Sequence, residues 1–311
     1  MKMVILTVTL NVAIDKTYAV DHFALSQVNR TRKITALPGG KGINVARVLS
    51  VLGEEVAATG FVGGYNGRYI VQNLKEQLFT CDFQEISEES RLCINILSNH
   101  ASTEILEHGP NIKQEELAAF IEKFDNLSRK ARVVVMSGSI PRGVTHTIYK
   151  QMIEIADRNG AYTILDSSGD SFIEGLKGRP YMVKPNKEEL EKVLGYSLDT
   201  DAKICASLQQ YLHNGIQLFV LSMGSQGALV GHNGEIFKVS PPIVEAINSV
   251  GCGDALVAGF AIGIARGMRI TDMIKLATAT AASNALHHGA GIINKVEVEE
   301  LIKKVKVHKL M

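Results

Sequence analysis

An aspartate preceded by two glycines, Gly251-Cys252-Gly253-Asp254, opens a helical pattern, Ala255–Arg266, that is apolar on nearly every face. Such a helix belongs in a core, which holds its first turn in place. Gly251 and Gly253 permit a tight turn that aims several N–H groups at one point, and the positive end of the helix dipole adds to them. The result is a pocket for an anion. A carboxylate beside it can take a proton from a hydroxyl while the N–H groups stabilise charge on a phosphoryl group. Taken alone, Asp254 fits an ordinary N-terminal helix charge equally well. With the usual aspartate pKa of ~3.9 it is ionised at neutral pH, so the base role read from sequence calls for no tuning.

A second glycine loop, Pro38-Gly39-Gly40-Lys41-Gly42, runs into Ile43-Asn44-Val45-Ala46-Arg47. Backbone N–H groups, the Lys41 ammonium and the Asn44 amide there suit the phosphate and hydroxyls of a polar ligand. The loop is not a Walker A motif, because Gly42 stands where Ser or Thr is required. Nor is there a G-x-G-x-x-G fingerprint, since Leu256 occupies the third glycine position after Gly251 and Gly253. The P-loop and Rossmann readings therefore fail at the residues that matter. Between the two loops, Lys184-Pro185-Asn186-Lys187-Glu188-Glu189 closes an apolar run and opens a helix. Asn186 and Glu189 lie three apart on one face and offer oxygens that suit hydrated Mg²⁺; a capping box without metal is the competing reading. Ser222-Met223-Gly224-Ser225-Gln226-Gly227 follows another apolar run, and its glycines suit either close approach by a nucleotide or a plain turn.

The elements that must hold these loops alternate along the chain. Val4–Leu10, Val56–Gly60, Val133–Ser137, Tyr162–Asp166, Tyr181–Lys184 and Leu218–Ser222 read as strands, several continuously apolar as in a parallel sheet covered on both faces. Helices are expected at Ile43–Leu52, Glu115–Phe124, Thr145–Arg158, Lys187–Leu194, Lys203–Leu212 and Asp272–His287, three of them closed by Gly53, Gly160 and Gly195. That order predicts an α/β sandwich with a mainly parallel sheet. An Asn233-Gly234 turn predicts a hairpin in the last third. Two stretches, 16–35 and 91–106, alternate like strands with no helix between them. They form either a small separate sheet or extra antiparallel strands of the main one.

Composition narrows the classes. The 311 residues carry a net charge of +1, without the basic excess that phosphate-backbone binding requires, so no nucleic-acid partner is expected. No apolar run reaches the ~18 residues of a membrane span. The first apolar segment meets Asp15 and Lys16 before any cleavage site, which reads as a buried strand of a cytoplasmic protein rather than a signal peptide. Cys81, Cys93, Cys205 and Cys252 have no C-x-x-C spacing, so reduced thiols are expected. His287-His288 fits a helix C-terminus better than a metal site.

These motifs resemble, in order, those of the PfkB (ribokinase-like) carbohydrate kinases. They are Thr9-Leu10-Asn11 to Asp15, Gly39–Asn44, Ser137-Gly138-Ser139, Lys184–Glu189, Ser222–Gly227 and Asn248–Asp254. The resemblance runs from about residue 6 to about residue 291 and is strongest to the bacterial phosphosugar branch. It implies one kinase domain over 1–311, a ribokinase-like three-layer α/β/α sandwich with a β-sheet lid made from the two excursions. It implies transfer from ATP, with Mg²⁺, to a ketohexose monophosphate, giving a bisphosphate. Fructose 1-phosphate is the expected substrate and tagatose 6-phosphate the alternative. Unphosphorylated sugars, or a non-catalytic sugar-phosphate sensor, stand behind these.

By the same resemblance Asp254 is the base, and the N–H groups of Gly251, Cys252 and Gly253 form the anion hole. Asp15, Gly39, Gly40 and Asn44 hold sugar hydroxyls, while Lys41, Arg91 and Ser139 surround the phosphate already on the sugar. Asn186 and Glu189 position Mg²⁺ through water, and Lys184, Ser222, Gly224, Gly227 and Asn284 line the ATP side. The chain departs from the pattern at Val12 and Arg142, where Pro is common, and at Cys252, where Ala or Ser is usual. Arg142 is read as either a further phosphate contact or a solvent-facing charge. A homodimer through the lid is expected, because its outer face would otherwise expose Val20 and Ile94.

Overall fold

The apolar runs line up side by side in the computed structural model, which describes residues 4–98 and 102–311. In chain order the first half comprises β1 (Val4–Thr9), β2 (Ala13–Ala19), β3 (Lys33–Gly39), α1 (Lys41–Val51), β4 (Val56–Gly63), α2 (Gly64–Leu74), β5 (Thr80–Cys81), β6 (Gln84–Ile86), β7 (Arg91–Leu97), β8 (Ser102–Leu106), α3 (Gln114–Ser128) and β9 (Ala131–Ser137). There follow α4 (Ile148–Arg158), β10 (Tyr162–Asp166), α5 (Gly169–Leu176), β11 (Met182–Val183), α6 (Lys187–Leu194), α7 (Asp201–His213) and β12 (Leu218–Ser222). The chain continues through β13 (Ala228–His232), β14 (Glu235–Ser240), α8 (Cys252–Arg266), α9 (Ile270–Ala285), α10 (Lys295–Ile302) and β15 (Lys306–Lys309).

The large sheet has the order β15-β14-β13-β12-β11-β10-β9-β1-β4-β5, with β6 also paired to β4. From β12 to β5 the pairing is parallel; the hairpin β13–β14 and the terminal β15 add an antiparallel edge. Successive side chains of a strand point to opposite faces, and here both faces are apolar. Val133 and Val135 of β9 join one core with residues of α1, α8 and α9, while Val134 and Met136 join the other with α3 and α4. Leu218 and Val220 divide from Phe219 and Leu221 of β12 in the same way. The expected three-layer α/β/α sandwich is therefore present.

Helix α8 is buried from Asp254 through Ala265. Glycines let α9 lie close against it: a Cβ on Gly259 would fall 2.3 Å from Ala277 Cα. This packing on two sides is what fixes the first turn of α8, and with it Asp254.

The two excursions form a separate four-stranded sheet, β3-β2-β7-β8, parallel at its centre (β2–β7) and antiparallel outside. The first extends further than its alternation suggested, 13–39 rather than 16–35, because Ala13–Asp15 pairs with Leu37–Gly39. Residues 99–101 of the second lie outside the described residues. Register places Asp15, Leu37, Cys93 and Leu106 in one row, hence on one face, and Ile34, Ile94 and Ile105 on the other. The expected exposure of Val20 is corrected: it is 2% exposed, tied by its N–H to Leu97 O as the strand leaves the sheet. The exposed apolar residues of that opposite face are Ile34 and Ile105, beside a half-buried Ile94.

Candidate active site

One continuous cleft of about 1760 Å³ runs from the small sheet, past the starts of α1 and α8, to the loops at 222–227 and 241–250. At its centre Asp254 is 6% exposed on the first turn of α8. Burial pushes its carboxyl up to about 6, against the pull of Lys41, the hydrogen bond from Asn44 and the more distant Lys184; Asp166 adds to the rise. The untuned aspartate expected from the sequence is thus corrected, because desolvation of the buried helix start outweighs the cations beside it. Gly251 takes φ +85°, and a Cβ there would fall 2.6 Å from Ala290 Cα, so the turn before Asp254 requires glycine. Of the three N–H groups expected at the anion point, that of Cys252 donates to Ser249 O at 3.3 Å. Those of Gly251 and Gly253 have no acceptor in the chain among the described residues.

Two lysines meet at a buried carboxylate. Lys41 Nζ lies 3.3 Å and Lys184 Nζ 3.2 Å from Asp166 Oδ1, at the C-terminal end of β10. Burial alone would raise Asp166, but Lys184 and Lys41 hold it below the usual carboxylate range. In return Asp166 raises Lys41, helped by Asp254 and Glu189 and opposed by burial. Asp166 Oδ2 is buried with no hydrogen-bond partner. Lys184 Nζ also lies 3.5 Å from where a Gly253 Cβ would stand, so its charge reaches the start of α8. The structure brings Lys41 to this centre, alongside Asp254.

The residues expected at the sugar come from the small sheet and its neighbours. A Cβ on Gly39 would fall 2.0 Å from Asp15 Oδ2, so the glycine loop packs directly on that carboxylate. Burial raises Asp15, opposed by Arg91, Arg47 and the N–H of Gly40. Arg91 Nε donates to Asn11 O at 3.2 Å and Nη1 to Glu107 O at 3.0 Å. Asn11 Nδ2 in turn donates to Ser139 Oγ at 3.2 Å, which joins Arg91 and Ser139 through one residue. Asn44, expected at sugar hydroxyls, has both ends of its amide engaged: Nδ2 on Asp254 Oδ2 at 2.8 Å, Oδ1 under Arg47 Nη1 at 3.1 Å.

On the far side, Ser222 N donates to Pro185 O, tying the end of β12 to the segment after β11, and Met223 N donates to Gly227 O, closing the 222–227 turn. A Cβ on Gly224 would meet open space, whereas one on Gly227 would fall 1.9 Å from Val239 O. Asn186 and Glu189 form the capping box of α6: Oδ1 accepts from Glu189 N at 2.7 Å, and Oε2 accepts from Asn186 N at 2.8 Å. Among the described residues Glu189 Oε1 has no hydrogen-bond donor, and Glu189 lines the cleft. Asn284 lies behind that wall, fully buried. Its Nδ2 donates to Val250 O at 2.9 Å and its Oδ1 accepts from Gly291 N at 2.8 Å, bracing the loop before Asp254.

The sequence profile of the pfkB family carbohydrate kinases matches residues 8–296. The chain belongs to the pfkB carbohydrate kinase family. A tagatose-6-phosphate kinase of Staphylococcus epidermidis is 39% identical over 306 residues, 97% of this chain and 99% of its own length. Among solved structures, Escherichia coli phosphofructokinase-2 in complex with potassium superposes with a TM-score of 0.92 at 25% identity, covering 97% of this chain and 99% of that one. A Thermotoga maritima chain described as a possible 1-phosphofructokinase gives 0.89 at 28% identity, covering 99% of this chain and all of that one.

Within this pfkB site, two residues have a place that sequence reading did not assign. Asp166 ends a mainly apolar strand of a parallel sheet, the position where ligands gather in open α/β folds, and that was its available signal. Arg47 is the one charge of α1 beyond its first residue, Lys41, and stands three residues after Asn44, therefore on its face. Arg142 is placed at the surface: it donates to Gly109 O at 3.1 Å and pairs with Glu88 at 3.7 Å.

Proposed function

We propose that this pfkB kinase transfers the γ-phosphoryl group of ATP to the free primary hydroxyl of a ketohexose monophosphate. The observation that carries the reading is the buried Asp254 at the glycine-led start of α8, within reach of Lys41 and facing the small sheet that bears Asp15 and Arg91. In this reading Asp254 takes the hydroxyl proton while the oxygen attacks phosphorus in line. The free N–H groups of Gly251 and Gly253, with Lys41 and Lys184, stabilise the charge that develops on the transferred group. Asp15 and the Gly39–Gly40 loop orient the sugar. Arg91 and Ser139 hold the phosphate it already carries, and Lys41 serves the phosphoryl in flight rather than that distal phosphate.

Ser222, Gly224 and Gly227 border the nucleotide, and Asn284 acts from behind by bracing the loop. The oxygens of Asn186 and Glu189, with Oε1 of Glu189 free, fit a hard cation that keeps part of its water, as Mg²⁺ does. Such an ion would neutralise charge on the ATP phosphates. The reading extends to one kinase domain over the whole chain, with the small sheet as a lid. It includes a homodimer through the face bearing Ile34, Ile94 and Ile105, and work in the cytoplasm, where the four free thiols stay reduced.

A ketofuranose carries primary oxygens at C1 and C6, so a site gripping one phosphate presents the opposite hydroxyl to Asp254. Fructose 1-phosphate and tagatose 6-phosphate fit the same frame, and the Staphylococcus relatives favour the second. A coupled ADP-release assay across both phosphosugars, free fructose and a nucleoside tests this. Turnover with both phosphosugars well above the other two supports the reading. Faster turnover of free fructose or the nucleoside overturns it.

A further inference from the structure

Asn44 is an amide held between a carboxylate and a buried guanidinium, and only one orientation satisfies both. Arg47 is 7% exposed and serves three acceptors: Nη1 donates to Asn44 Oδ1 at 3.1 Å and to Ala290 O at 3.0 Å, and Nη2 donates to Pro38 O at 2.8 Å. A guanidinium has donors and no acceptor, so only an oxygen can face it. Turning the Asn44 amide over would set its NH₂ against Arg47 and its oxygen against Asp254, replacing two hydrogen bonds by two repulsions. Arg47 thereby dictates that Asn44 meets Asp254 with a donor.

That donor occupies Asp254 Oδ2 at 2.8 Å. Oδ1 receives no hydrogen bond from the chain among the described residues, so it is the oxygen left to accept a proton. The other two bonds of Arg47 reach the residue before the Gly39–Gly40 loop and the stretch after α9 that borders the cleft. One side chain therefore registers the sugar-side loop, the Asn44 amide and the 290 segment against each other. We propose that Arg47 is a positioning residue for phosphoryl transfer, acting through Asn44 to set which oxygen of Asp254 is free. The proposal rests on the reading of Asp254 as the base.

A double-mutant cycle with Asn44→Ala and Arg47→Met tests it, measuring kcat and the KM for ATP of each protein. Each single variant is expected to lower kcat about 10- to 100-fold, the worth of a charge-assisted hydrogen bond, with the KM for ATP changed by less than about threefold. The double variant should fall well short of the product of the two single effects, because Arg47 acts in part through Asn44. Two reductions that multiply, or an unchanged kcat in Arg47→Met, would overturn the proposal. If Arg47→Met does not accumulate as folded protein, Arg47→Gln, which offers a single amide in place of the fork, takes its place in the same cycle. Asp254→Asn is assayed beside them: near-normal turnover there removes the base reading itself, a failure distinct from that of the cycle.

Discussion

The carboxyl of Asp254, pushed up to about 6 by burial, sets an acid limit on turnover that an ordinary aspartate would not. The base must be ionised to act. With a pKa of about 6, only about a tenth of the enzyme is competent at pH 5, so kcat there should lie about 10-fold below its plateau. An aspartate at its usual value would lose less than about a tenth of its activity at the same pH. The assay is ADP release at saturating substrates from about pH 5 to 8.

Because sugar phosphates also titrate near pH ~6, the profile is repeated with Lys41→Met. Lys41 is the strongest influence holding Asp254 down, so its removal should move the limb to higher pH. A limb that belonged to the substrate would not move. The same shift predicts a stability effect of opposite sign to that of a paired carboxylate. The folded state binds the proton more tightly than the unfolded one, so this group's contribution to stability rises as pH falls from about 6 to about 4. About two units correspond to ~3 kcal/mol, and at pH 7 Asp254→Asn should melt about 2–5 °C higher than the parent. An acid limb below about pH 5, or one that stays put in Lys41→Met, would refute the burial argument.

Arg91→Ala should raise the KM for the phosphosugar about 10- to 100-fold and leave the KM for ATP nearly unchanged, as initial-rate kinetics would show. Cys252→Ser should keep most activity, because burial raises the thiol and its hydrogen bonds among the described residues run to structural groups, Asn284 Nδ2 and Asn248 O; a fall of several orders of magnitude would mean that sulfur takes part. Hydrogen exchange within 13–39 and 91–97 should slow when phosphosugar is added, and no change in either would count against a closing lid.

What was legible in the sequence is what is local. The mainly apolar strands Val133–Ser137, Tyr162–Asp166 and Leu218–Ser222 appear where their pattern placed them, and Gly195 ends α6 in the left-handed conformation. Elements that escaped notice are short or begin on glycine: β5 has two residues, α5 and α10 have eight each, and α2 starts on Gly64. Their ordering comes from packing against the sheet rather than from their own pattern.

The glycine loops were legible because a tight turn before a helix is written in consecutive residues. Asp166 and Arg47 were not, because their roles depend on distant partners: Lys41 is 125 residues from Asp166, and Ala290 is 243 from Arg47. The raised pKa of Asp254 was equally out of reach. It arises from the core around α8, which no local spacing records.

The central claim is that Asp254 removes the hydroxyl proton, and the most direct measurement is phosphoryl transfer by Asp254→Asn with tagatose 6-phosphate and fructose 1-phosphate. The variant keeps the shape of the side chain and can still accept the Asn44 hydrogen bond. Folding, followed by circular dichroism, and ATP binding, followed by calorimetry, should be retained. Turnover should fall by ~10²–10⁴. A folded, ATP-binding Asp254→Asn protein with near-normal turnover would contradict the account.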